Sequence, residues 1–129
     1  SILMDNIKID IFTDENIYNN IKNNLPFSSK INFHFEVDNN VLKSSHCIMT
    51  DVFNSMNDLD DKEQILNKFQ VNEKIMSMTN AETVFMHCLP AKIGSEVTKE
   101  VIKGSKSIVI KQAKNRMVAQ RGILKWLDI

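Results

Sequence analysis

Three short stretches hold residues whose types and spacing could do chemistry. Asp51 directly follows the apolar run Cys47-Ile48-Met49-Thr50, and Ser55 and Met56 come four and five residues later. A carboxylate there can hold an ammonium group, while a Ser hydroxyl and loop N–H groups can hold a carboxylate, which together would suit an amino acid. The competing reading is a turn or helix cap, the commoner use of an acid at a strand end. His87-Cys88-Leu89-Pro90 closes a second apolar run. A Cys there could act as a thiolate or proton acceptor if its pKa fell below the ordinary value of about 8.5, whereas a lone Cys is more often an inert core residue. Leu89-Pro90 is a candidate cis bond, which would turn the chain sharply. Arg116 could give bidentate contacts to a phosphate or carboxylate, or be a solvated helix residue. His34 and His46 have no partners at metal-ligand spacing, and the chain has neither G-x-G-x-x-G nor a P-loop, so no metal and no cofactor is expected.

These residues need a scaffold, and the hydrophobic pattern supplies one. Ile7-Lys8-Ile9-Asp10-Ile11-Phe12 alternates as a strand, and Thr13-Asp14-Glu15 offers an N-cap for a helix through Ile17, Tyr18 and Ile21 that ends before Pro26. Ile31 to Phe35 alternates again. A helical patch near Val41-Leu42 precedes Cys47 to Thr50, whose unbroken apolar run predicts a strand covered on both faces. Residues 54–60 read as a polar loop, 62–69 as a helix, and Asn72 as the cap of a helix through Met78. Thr83 to Met86 is a further buried strand. The spacing then predicts a weak helix from Ser95 to Val101, an extended piece from Ser107 to Ile110, and a long final helix over 112–127, with Ala113, Met117, Leu124 and Leu127 on one side. Strands alternating with helices predict an α/β fold with a mainly parallel sheet, whose ligands sit beyond the carboxyl ends of the strands. That rule points to residues 50–57 and 87–91.

The 129 residues suffice for one domain, since domains run to about 100–200 residues. Sixteen basic against 16 acidic residues leave no net charge, which argues against a nucleic-acid footprint. No apolar stretch approaches the roughly 20 residues that cross a bilayer, so a membrane span is not expected. Basic charge is 14 Lys to two Arg, and Asn pairs recur at 19–20, 23–24 and 39–40, a bias typical of AT-rich coding that carries no functional message. Cys47 and Cys88 form no C-x-x-C, which fits a reducing, cytoplasmic compartment.

Several ordered stretches resemble the C-terminal, ornithine-binding half of ornithine carbamoyltransferases, in the aspartate/ornithine carbamoyltransferase family. Thr50-Asp51-Val52-Phe53-Asn54-Ser55-Met56 resembles the family's T-D-V-W-x-S-M-G loop, and Phe69-Gln70-Val71-Asn72-Glu73 its Y-Q-V-N stretch. Met86-His87-Cys88-Leu89-Pro90-Ala91 carries its H-C-L-P signature. Glu96-Val97-Thr98 and Ser107-Ile108-Val109 follow in order, then Gln112-Ala113-Lys114-Asn115-Arg116 in place of Q-A-E-N-R. The resemblance implies a three-layer Rossmann-like domain lacking its first strand. It implies that Asp51, Ser55 and Met56 hold ornithine, and that Cys88, Leu89 and Arg116 lie at carbamoyl phosphate, with Asp51 and Cys88 as the catalytic residues. The implied reaction transfers the carbamoyl group to the δ-amine of ornithine, giving citrulline and phosphate.

Departures accompany the match. The family's Gly after Ser-Met is Asn57, the acid before Asn115 is Lys114, and the His two residues after the Arg is Val118. The family's S-T-R-T-R and H-P-x-Q segments, which belong to its N-terminal half, do not occur. The expectation is therefore a single truncated domain over 1–129, inactive alone, whose last helix presents apolar surface toward an N-terminal carbamoyl-phosphate domain, with a homotrimer as the intact enzyme. Two alternatives stand beside it: a non-catalytic fragment acting only in subunit interaction, and a putrescine or N-acetylornithine carbamoyltransferase.

Overall fold

A computed structural model describes residues 7–24, 30–54 and 63–128. Four strands alternate with helices: β1 (Ile9–Phe12), α1 (Glu15–Ile21), β2 (Ile31–His34), α2 (Asn39–Ser44), β3 (Cys47–Thr50), α3 (Glu63–Leu66), α4 (Glu73–Met78), β4 (Val84–His87), α5 (Lys99–Lys103) and α6 (Val109–Trp126). Both strand pairings, β1 with β2 and β3 with β4, are parallel, as the α/β pattern predicts. The helix starts follow local chemistry. Asp14, Asp38, Asn72 and Thr98 each accept a backbone N–H of the first turn through their side chains.

The strands form two separate pairs, β1-β2 and β3-β4. In a doubly wound sheet the order runs outward in both directions from a central strand. Among the described residues no strand joins the two pairs into one sheet. The apolar core belongs almost wholly to the second pair. Val71, Met76, Phe85, Val97, Val101 and Val109 form one buried cluster, with Ile48, Ile75, Ala91 and Ile102 packed against it.

Three local expectations are corrected. β3 is not covered on both faces, since Ile48 and Thr50 are half-buried but Cys47 and Met49 are exposed. A run such as Cys-Ile-Met-Thr is apolar on both sides, so its chemistry cannot tell which face finds a neighbour. The helix predicted from Ser95 begins only at Lys99. Val97 pairs with both Val71 and Ile93, Glu96 is drawn fully inside, and Thr98 restarts the chain as an N-cap. The final helix begins at Val109 rather than 112, because Ser107 bridges to Phe85 and the Ile108 N–H donates to the Phe85 carbonyl before the helix turns away.

Candidate functional site

The parallel register of β3 and β4 creates the site. Thr50 pairs with His87, so the next residue on each strand, Asp51 and Cys88, leaves the sheet side by side at its carboxyl end. Residues 37 positions apart thereby come into contact. The Cys88 thiol donates to Asp51 Oδ1 at 2.9 Å, and the Val52 N–H donates to the same oxygen at 2.8 Å. Both Asp51 and Cys88 are solvent-exposed, so the pair faces outward and not into the core.

The two groups titrate in opposite directions for one reason. The thiol and then the Val52 N–H stabilise the Asp51 carboxylate and hold its pKa below the usual value. The same hydrogen bond, followed by burial and the carboxylate's charge, pushes the Cys88 thiol up, with Arg116 opposing more weakly. Near neutral pH the pair is thus a carboxylate and a protonated thiol. The thiolate considered from the sequence is disfavoured, and Asp51 is the base of the two.

Behind Cys88 lies a buried support that residue spacing did not suggest. His87 is fully buried, its Nδ1 accepts the Leu89 N–H at 2.9 Å, and its Nε2 lies 3.2 Å from Glu96 Oε1. Glu96, also fully buried, takes the Lys92 N–H on the same oxygen. The Leu89-Pro90 bond is cis, as the sequence suggested, and Leu89 sits at φ 55°. From the other side, Gln112 Oε1 accepts the His87 N–H at 3.0 Å and so anchors the start of α6. Arg116 follows one turn later on the same helix face, exposed, close enough for its charge to act on Cys88.

Of the residues singled out by sequence, Asp51, Cys88 and Leu89 meet at one place and Arg116 lies near it. Ser55 and Met56, and the departure at Asn57, lie outside the described residues. Lys114 and Val118 are exposed on α6. The fold also makes a grouping that linear spacing hid: donor atoms of Asp51, His87 and Cys88 lie within 4.8 Å of one another. Both imidazole nitrogens are already engaged, by Leu89 and by Glu96, so His87 offers a metal no free lone pair while that turn is intact. His87, Glu96 and Gln112 are the residues that sequence reasoning passed over. His87 stood inside H-C-L-P, but nothing in a nine-residue separation announces its pairing with Glu96.

Known proteins share this sequence pattern and fold. The chain is 46% identical over 87 residues to an ornithine carbamoyltransferase of Rhodopseudomonas palustris, a match covering 66% of this chain and 28% of that protein. Its fold superposes on an ornithine carbamoyltransferase of Burkholderia thailandensis with a TM-score of 0.78 at 28% identity, covering 93% of this chain and 38% of the other. For the Pyrococcus furiosus ornithine carbamoyltransferase the TM-score is 0.64 at 35% identity, over 74% of this chain and 31% of that one. The chain therefore spans less than a third of the length of the curated relatives it matches. No helix among the described residues is long and apolar enough to cross a membrane. The family described as aspartate/ornithine carbamoyltransferase, Asp/Orn binding domain, matches residues 6–127, and the chain belongs to that family.

Proposed function

We propose that this chain is the ornithine-binding part of an ornithine carbamoyltransferase. The observation that carries the reading is the Cys88–Asp51 contact at the carboxyl ends of β3 and β4. In the proposed reaction the neutral δ-amine of ornithine attacks the carbamoyl carbon. A C–N bond forms, the C–O bond to phosphate breaks, and the proton that the amine gives up leaves on the departing phosphate. Asp51, held ionised, accepts a hydrogen bond from the amine and orients it, while the Cys88 thiol fixes the carboxylate and marks the side of the carbamoyl group. Arg116 offsets charge on carbamoyl phosphate, and Leu89 lines the same side. Ser55 and Met56 complete the hold on ornithine.

Carbamoyl phosphate needs further cationic groups, and in this reading an N-terminal domain supplies them. The bare side of α6 is proposed to face that domain: Met117 is 59% exposed and Trp126 82% exposed. A homotrimer in the cytoplasm is part of the same proposal, and the free thiols of Cys47 and Cys88 fit a reducing compartment. The exposure of α6 also favours a second reading, a non-catalytic chain that serves only in subunit interaction.

Titration calorimetry with ornithine, with and without an added carbamoyl-phosphate domain, separates the two. The first reading expects ornithine-dependent heat that Asp51→Asn abolishes. No heat in either mixture, together with association of the two polypeptides, would establish the second.

A further inference from the structure

We propose that Glu96 is a positioning residue that sets the Cys88–Asp51 contact through His87. The geometry forms a chain of three links. Glu96 Oε1 faces His87 Nε2 at 3.2 Å, His87 Nδ1 accepts the Leu89 N–H at 2.9 Å, and the peptide so held carries Cys88, whose thiol reaches Asp51 at 2.9 Å. Because Nδ1 must present a lone pair to Leu89, the single proton of the neutral ring is on Nε2, pointed at the Glu96 carboxylate. Without an acceptor there, the opposite tautomer becomes competitive. Its Nδ1–H would oppose the Leu89 N–H, donor against donor.

Leu89 needs such a hold. A branched residue in the left-handed region costs about 1–2 kcal/mol, and surrounding contacts must keep it there. Stability alone does not account for the carboxylate that does this. Glu96 is fully buried, and its Oε2 has no hydrogen-bond partner, an arrangement that an apolar side chain of similar volume would avoid. A second, part-buried link, His87 N–H to Gln112 Oε1, secures the turn from α6, so the supports converge on one strand end.

The inference concerns the site of the preceding section, but its test reads thiol chemistry and not ligand binding, so either can fail without the other. Alkylation of the 129-residue chain by iodoacetamide is followed against pH at Cys88, with Cys47 as the internal reference. Glu96→Met keeps the volume and removes the acceptor. Its Cys88 profile is expected to shift toward lower pH, with alkylation roughly threefold or more faster at a fixed pH below the midpoint. Glu96→Gln, which still offers an amide oxygen, should restore the original profile. In an Asp51→Asn background, Glu96→Met should add no further shift, since the link it acts through is gone. An unchanged Cys88 profile in folded Glu96→Met, an equal shift at Cys47, or a full shift persisting in the Asp51→Asn background would overturn the proposal. If Glu96→Met does not fold, the ring-nitrogen NMR spectrum of the unaltered chain decides. An Nε2–H tautomer at His87 supports the proposal, and an Nδ1–H tautomer or a charged ring overturns it.

Discussion

The β1-β2 pair is held by rings and polar groups. Phe12 stacks on His34 with centroids 5.0 Å apart, Tyr18 of α1 lies against Phe33 at 4.7 Å, and Asp10 gathers Asn32, His34 and Lys8 on one strand face. None of the residues in these two strands is fully buried. The β3-β4 pair has the same parallel pairing and the same strand length, yet Phe85 and His87 on β4 are fully buried and Phe85 is clustered with five other buried apolar residues. In the proposed function it is this second pair that carries chemistry at its carboxyl end. The contrast shows why: a Cys–Asp contact on the surface holds its geometry when the turn behind it is anchored in a close-packed interior. The Asp10 cluster has polar groups at similar distances, but it closes on itself and offers no backed strand end.

The largest expected effect tests that dependence directly. Phe85→Ala removes the centre of the core and should cost about 3–5 kcal/mol, read as a loss of the β3-β4 unfolding transition in urea. The Cys88 alkylation profile should then become that of an ordinary thiol. A folded Phe85→Ala chain with an unchanged Cys88 profile would show that the site does not need the core.

Phe33→Ala in the other pair should cost less, roughly 1–2 kcal/mol, because the ring it loses is half-buried and its main partner is Tyr18. The amide shifts of Cys88, Leu89 and Glu96 should stay in place. Their movement would mean that the two pairs are coupled more tightly than their packing indicates.

The smallest effect concerns pH. Burial alone would raise the Asp10 carboxyl, but hydrogen bonds from His34, Asn32 and Lys8 together outweigh it and hold the pKa below the ordinary carboxylate value. A depressed carboxylate contributes stability that is present above its unfolded pKa and is lost as pH falls through the folded one. Acid titration of stability should therefore weaken the chain below about pH 4, and Asp10→Asn should remove that component, on the order of 1 kcal/mol or less. Equal acid sensitivity in the variant would assign the loss to other carboxylates.

Much of this was legible in the residues themselves. Period-two alternation marked β1 and β2, and Asp14 and Asn72 announced their helices, because a cap acts on backbone donors two or three residues away. Asp51 and Cys88 were recognisable as strand-end residues for the same local reason. Other features were hidden. Glu96 read as the start of a helix, since its sequence neighbours say nothing of His87 on the adjacent strand end. Cys47 to Thr50 read as a strand covered twice, since composition cannot count neighbours.

The sequence by itself determined which segments form strands and helices, where the helices capped by Asp14 and Asn72 begin, and the family to which the chain belongs, because these depend on periodicity, capping and ordered motifs within a few residues. Only the tertiary structure decided that Asp51 and Cys88 touch, that the thiol donates and the carboxylate accepts, and that His87 and Glu96 stand behind them. Those properties come from the register between two strands and from burial, which bring together groups that the chain keeps nine to 37 residues apart.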